Sequence, residues 1–187
     1  SSVLIGAATN MTRYTMWAAA VAPLFGEGGG ALLLERGRGH GFTRILTGEI
    51  DNENDPIVWA GKIKNVPGSM SGASLAYRRM NGRIGPFDLS AHSNPDTYVM
   101  WLNGKKVFLN AVKYMRQDIG AVLTDAEIGM AEIGAVVAHQ ANLRILNSVA
   151  EKYKGHEEKF LKSIRNFGNT GAASVIMAWH NSHEAIK

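Results

Sequence analysis

The sequence predicts an α/β layered fold. Three observations carry that prediction. Short apolar segments that read as strands alternate with amphipathic stretches that read as helices; 45% of the 187 residues are hydrophobic against 19% charged; and glycine is frequent (21) while proline is scarce (5). A chain of this composition buries a core instead of staying disordered. A strand, helix, strand, helix order is that of stacked layers. The length fits one domain or one half of a larger one.

Taken in order, Val3-Leu4-Ile5-Gly6-Ala7-Ala8 is short, apolar and glycine-broken, which predicts a buried strand. It starts almost at residue 1, as though the fold were cut there. Residues 24–35 (LFGEGGGALLLE) read as a glycine turn feeding a second apolar strand, 36–41 as a turn, and 44–50 as a strand. Between 51 and 96 the periodicity dissolves among Asn, Gly, Ser and Pro, with small basic clusters at Lys62/Lys64 and Arg78/Arg79/Arg83. A stretch that long inside a domain is expected to be a surface excursion bordering a functional site or else a poorly ordered insertion. Phe108, Val112, Met115, Ile119 and Val122 then recur at helical spacing and form one stripe of a long helix. Thr124-Asp125-Ala126-Glu127 has the capping-box pattern and predicts the start of a short helix. Residues 134–138 (GAVVA) read as a buried strand, and Leu146, Val149 and Tyr153 mark the helix after it. Residues 160–164 read as a further strand and 171–186 as a final helix.

Composition excludes several functions. Lys plus Arg (20) exceed Asp plus Glu (16) by four, a mildly basic balance that suits an acidic partner and is too weak for nucleic acid. No apolar run approaches the ~18 residues that span a bilayer, and nothing at the start reads as a signal peptide. The expectation is therefore a cytoplasmic protein with no membrane and no nucleic-acid partner. Cysteine is absent. That rules out disulfides, zinc–thiolate sites and any thiol nucleophile supplied by these residues.

Two constellations could carry chemistry. In Val136-Val137-Ala138-His139-Gln140-Ala141-Asn142-Leu143-Arg144-Ile145 a histidine leaves the carboxyl end of a predicted strand just before a helix. That is where ligands bind in open α/β sheets. In Arg165-Asn166-Phe167-Gly168-Asn169-Thr170-Gly171-Ala172-Ala173-Ser174 an asparagine occupies the same kind of position. The tiny residues after it allow close backbone approach. An imidazole and an amide at strand ends are suited to holding a developing oxyanion. The competing reading is that His139 caps a helix or satisfies a buried carbonyl.

These two stretches resemble the signatures of β-ketoacyl-acyl-carrier-protein synthase III, in the thiolase superfamily. Leu24-Phe25-Gly26-Glu27-Gly28-Gly29-Gly30-Ala31 resembles the family's L-F-G-D-G-A-G-A turn, and Leu102-Asn103-Gly104-Lys105-Lys106-Val107-Phe108 its M-x-G-x-x-V-F segment. Four matches in the family's order, spread over residues 24–174, are more specific than any one. The resemblance implies a five-layered α/β/α/β/α fold of two similar halves, with a Cys–His–Asn active site between them. The Cys attacks an acyl-CoA thioester. The His and Asn bind the thioester carbonyl of malonyl-carrier protein while it loses carbon dioxide.

On this sequence the catalytic histidine is His139 and the asparagine Asn169. Arg144 matches the arginine presented to acidic carrier protein and Phe108 the phenylalanine lining the catalytic tunnel. Gly104 and Asn142 fall beside them as expected substrate- or carrier-binding residues. Residues 1–36 correspond to the end of the N-terminal half, and 37–187 to the C-terminal half, with the long excursion at 51–96 and its closing glycine-rich strands missing. The Cys belongs to the half preceding Ser1. Ala19 stands where relatives place an arginine on the CoA adenine, so CoA as the priming donor departs from the pattern. No cofactor and no metal are expected, acyl-CoA and malonyl-carrier protein being substrates. The expected partners are acyl carrier protein, an acyl thioester, and either a second copy or a complementary N-terminal half, because a bare half-fold exposes apolar surface.

Other signals are weaker. Gly26-x-Gly28-x-x-Ala31 matches a dinucleotide fingerprint, but an apolar strand follows where a helix would be needed. His180 and His183 share one helical face without a third ligand, as a solvated face does. Trp17, Trp59, Trp101 and Trp179 read as core or tunnel lining. Two functions from different classes remain. One is part of a condensing enzyme that supplies His139 and Asn169 to a Cys on another segment and is inactive alone. The other is a non-catalytic module that binds a carrier protein or sister subunit.

Overall fold

The computed structural model describes residues 2–10, 24–35, 37, 58–62 and 98–182. Strand β1 (Ser2–Asn10) pairs antiparallel with β2 (Glu27–Glu35), from Ser2 opposite Glu35 to Asn10 opposite Glu27. Successive side chains on a strand point to opposite faces, and β2 alternates strictly between exposed and half-buried positions. Its half-buried face lies on helix α4 (Ala173–Ser182), the last described element. A Cβ on Gly28 would lie 2.5 Å from Met177 Sδ, and one on Gly30 2.6 Å from Ile176 Cγ2. The glycines therefore belong to the strand, not to a turn before it, because α4 packs onto its backbone.

The predicted burial of β1 is overturned. Val3, Leu4 and Ile5 are 56%, 71% and 44% exposed. The two-stranded ribbon meets α4 on one face, and those contacts fall on its glycine-rich end, which leaves the Val3–Ile5 end uncovered among the described residues.

Strand β3 (Val58–Lys62) pairs antiparallel with β4 (Tyr98–Leu102), placing Trp59 opposite Trp101. The 51–96 stretch thus contains a strand. The predicted strand at 44–50 lies outside the described residues.

Helix α1 (Gly104–Ala126) begins at Asn103, whose Oδ1 accepts from Lys106 N–H at 3.2 Å, as an N-cap does. Its predicted stripe forms at four of five positions, with Leu123 packing on the core in place of Val122. Phe108, Val112, Met115 and Ile119 pack against a buried cluster of Met130, Ile145, Val149, Ala150 and Phe160. The capping box at Thr124 does not form. The stripe carries the helix through it, and Thr124 Oγ1 donates back to Gly120 O within the helix at 2.9 Å. The helix ends instead at Glu127, in the left-handed region at φ +56°. The carboxylate that does cap a turn is Glu132, which accepts from Gly129 N–H at 2.8 Å ahead of the 3₁₀ turn Met130–Glu132.

The strands predicted at 134–138 and 160–164 reduce to a single parallel bridge between Val136 and Phe160. Val136 N–H donates to Lys159 O (2.8 Å) and Leu161 N–H to Val136 O (3.1 Å). Beyond that point the buried Gln140 side chain takes the ladder's place, and Ile164–Phe167 forms a helical turn, α3. Helix α2 (Leu143–Ala150) continues as the 3₁₀ turn Glu151–Tyr153, where the Tyr153 ring stacks on Phe160 with centroids 5.7 Å apart. Lys159 Nζ ties the core's edge by donating to the carbonyls of Met130, Ala131 and Ile133 at 2.7–2.9 Å.

Trp179 is 52% exposed, so it is not core. It lies near the end of α4, past the residues that pack on β2. Trp17 lies outside the described residues. No helix among the described residues is long and apolar enough to cross a membrane.

Candidate active site

The site is built where two segments far apart in sequence touch through their backbones. Asn169 N–H donates to Leu24 O at 2.6 Å and Gly26 N–H donates to Asn169 O at 2.9 Å, pairing Phe25 with Asn169 in parallel. Glycine makes this approach possible on both sides. A Cβ on Gly26 would run into the Phe167 carbonyl, and one on Gly168 (φ +68°) would lie 3.2 Å from Gly26 N and Leu24 O. The Asn169 side chain is fixed as firmly as its backbone. Its Oδ1 accepts from Gly171 N–H at 3.0 Å, which leaves the amide NH₂ as the end able to donate to a ligand.

His139 is tied to the same turn. Its Nδ1 lies 2.7 Å from Ser174 Oγ, on a buried residue at the start of α4. The Ser174 hydroxyl also accepts from Gln140 N–H at 3.0 Å, and Ser174 N–H donates to Gly171 O at 3.1 Å. His139 as a whole is exposed, yet its ring is crowded on the Ser174 side. Desolvation there lowers the imidazole pKa below 6.5 and outweighs the opposing hydrogen bond with the Gly171 backbone. Burial on that side therefore favours the neutral imidazole. Both side chains are thus anchored to residues 169–174 at the head of α4.

Beside this turn lies a cavity of about 620 Å³. Phe25, Gly104, Phe108, Asn142, Arg144 and Asn169 are among its walls, whereas His139 is not. The structure therefore gathers five of the six sequence-predicted site residues around one space, with His139 joined through the turn. Phe108 faces both the core cluster and the cavity. Asn142 has a structural task as well: it is the N-cap of α2, its Oδ1 accepting from Arg144 N–H at 2.8 Å. Arg144 is exposed, at the cavity rim.

Sequence reasoning gives no role to Gln140 or Ser174. The available signal was that each is polar among small or apolar residues, which in a buried setting demands partners. Of the weaker candidates, Ala19 and His183 lie outside the described residues. His180 is exposed on α4, and no group of three or more metal-binding side chains exists among the described residues.

The mixed helix–strand unit has part of a thiolase-like fold. Residues 123–187 match the family model described as 3-oxoacyl-[acyl-carrier-protein (ACP)] synthase III C terminal. The β-ketoacyl-[acyl-carrier-protein] synthase III of Clostridium tetani is 31% identical over 155 residues, covering 83% of this chain and 42% of that protein. The synthase III of Rubrobacter xylanophilus is 25% identical over 164 residues, covering 88% and 42%. The crystal structure of synthase III from Thermus thermophilus superposes with a TM-score of 0.66, over 98% of this chain and 50% of that one, at 24% identity. The chain matches the C-terminal portion of β-ketoacyl-[acyl-carrier-protein] synthase III. It spans less than half the length of the curated relatives it matches.

Proposed function

We propose that this chain is the His/Asn-bearing part of a condensing enzyme that joins an acyl thioester to malonyl-carrier protein with loss of carbon dioxide. The observation that carries this reading is the shared anchoring of His139 and Asn169 on residues 169–174, with Asn169 in the wall of the cavity. Decarboxylation breaks the bond between the malonyl α-carbon and its carboxylate. The electron pair passes into an enolate whose oxygen gains negative charge. A neutral imidazole N–H and an amide N–H, held in advance, stabilise that charge where it develops. The enolate carbon then attacks the acyl carbonyl, a carbon–carbon bond forms, and the thiolate departs.

The thiol comes from another segment, since these 187 residues contain no cysteine. The cavity beside Phe108 would take the malonyl thioester, and Arg144 at its rim would meet carboxylates of an acidic carrier protein. The test combines the chain with a polypeptide carrying the Cys-bearing half, radiolabelled acetyl-CoA and malonyl-carrier protein. The expected result is β-ketoacyl product from the mixture, and no covalent label on this chain alone. Label on this chain after denaturation contradicts the proposal. Binding of the two parts without turnover instead supports a non-catalytic module.

A further inference from the structure

We propose that Gln140 is the positioning residue that holds His139 in register with the Asn169-bearing segment, an inference that rests on the reading of His139 as a donor. Gln140 is fully buried. An amide side chain offers two N–H donors and two acceptor lone pairs, and Gln140 uses all four on backbone. Its Nε2 donates to Ala138 O (2.9 Å) and Leu161 O (3.1 Å). Its Oε1 accepts from Ser163 N–H (2.9 Å) and Ile164 N–H (3.2 Å). Its own backbone N–H donates to Ser174 Oγ (3.0 Å), the atom that meets His139 Nδ1.

One side chain therefore joins the residue before His139, the segment 161–164 that leads to Gly168 and Asn169, and the head of α4. It does so where the backbone ladder has stopped, since Val136–Phe160 is the single bridge between these segments. Among the described residues, no other hydrogen bond joins residues 137–139 to 161–164. A shift of the His-bearing segment relative to α4 would open the His139–Ser174 contact. Glutamine suits the task by valence: a carboxylate has no N–H for Ala138 and Leu161, and an apolar isostere leaves four backbone groups unpaired.

The test is spectroscopic and uses the 187-residue chain. The ¹⁵N resonances of the His139 ring, identified by their loss in His139→Gln, report the state of Nδ1. Gln140→Met and Gln140→Glu are expected to move the Nδ1 resonance at least halfway toward its value in urea-denatured chain. Lys159→Met is the structural control: it removes the donor to three backbone carbonyls of the same unit and should leave His139 in place. An unmoved Nδ1 resonance in either folded Gln140 variant overturns the proposal, as does an equal movement in Lys159→Met. If neither Gln140 variant folds, the wild type decides. In urea below the unfolding transition, exchange of the Gln140 side-chain amide and displacement of the His139 resonance should rise together, and independent behaviour refutes the link. No readout depends on turnover, so a failed condensation assay leaves this result interpretable on its own.

Discussion

Gly168→Ala puts the meeting of the two segments to a quantitative test, with Gly155→Ala as its control. Both glycines have positive φ, +68° and +83°, so an alanine is strained at either. At Gly155 nothing lies within 4 Å of the added methyl. The expected cost there is the conformational one, about 1–2 kcal/mol. At Gly168 the methyl also meets Gly26 N and Leu24 O at 3.2 Å, both backbone atoms that cannot rotate away. Overpacking of that kind costs about 1–3 kcal/mol. It also stretches the Asn169–Leu24 and Gly26–Asn169 hydrogen bonds, each contributing about 0.5–1.5 kcal/mol. The two variants should therefore differ by about 2–4 kcal/mol, which for a chain of this size is roughly 4–16 °C in Tm. Circular dichroism during heating, with urea titration for the free energies, reads both numbers. Equal destabilisation by the two substitutions would refute the claim that this glycine exists to let the segments touch.

Further expectations follow from the same geometry. Leu146 is fully buried on α2, so Leu146→Ala should cost about 2–5 kcal/mol in urea unfolding; a loss below 1 kcal/mol would show that the site collapses freely. His139 binds its proton less readily when folded than at its ordinary 6.5. The unfolded chain thus takes up more protons as the pH falls below 6.5, and stability should be full above that value and decline beneath it. His139→Gln should flatten this slope, and an identical slope in the variant would contradict the lowered pKa. Arg144→Glu should weaken carrier-protein binding at low salt and reduce its salt dependence. Unchanged affinity at low ionic strength would place docking elsewhere.

What the sequence made legible follows from the range of the interactions involved. The α1 stripe is local, so Phe108 to Ile119 could be read from spacing alone, and the same holds for Leu146 and Val149 on α2. Strand identity in Val3–Ala8 was legible while its burial was not, because burial depends on what covers each face, which a short segment does not encode. Thr124–Glu127 has the residues of a helix start, yet the apolar stripe running through it makes it a helix end. The strands expected at 134–138 and 160–164 have the apolar composition, but side-chain bonds from Gln140 replace most of the ladder. The candidate site residues were proposed from motif resemblance. The reasons they meet, two glycines that admit backbone contact and a saturated buried amide, are visible only once residues 24–26, 139–140 and 161–174 are brought together.

The most direct test of the account is the release of labelled carbon dioxide from malonyl-carrier protein by the assembled enzyme, compared with its His139→Ala and Asn169→Ala variants. If both side chains donate to one enolate oxygen, each substitution should slow decarboxylation by ~100-fold or more. The double variant should lose far less than the product of the two losses, because the donors act as a unit. Acyl transfer to the thiol should be less affected. Decarboxylation that proceeds at the wild-type rate in either single variant, with the fold intact, would contradict the assignment of these two residues as the oxyanion pair.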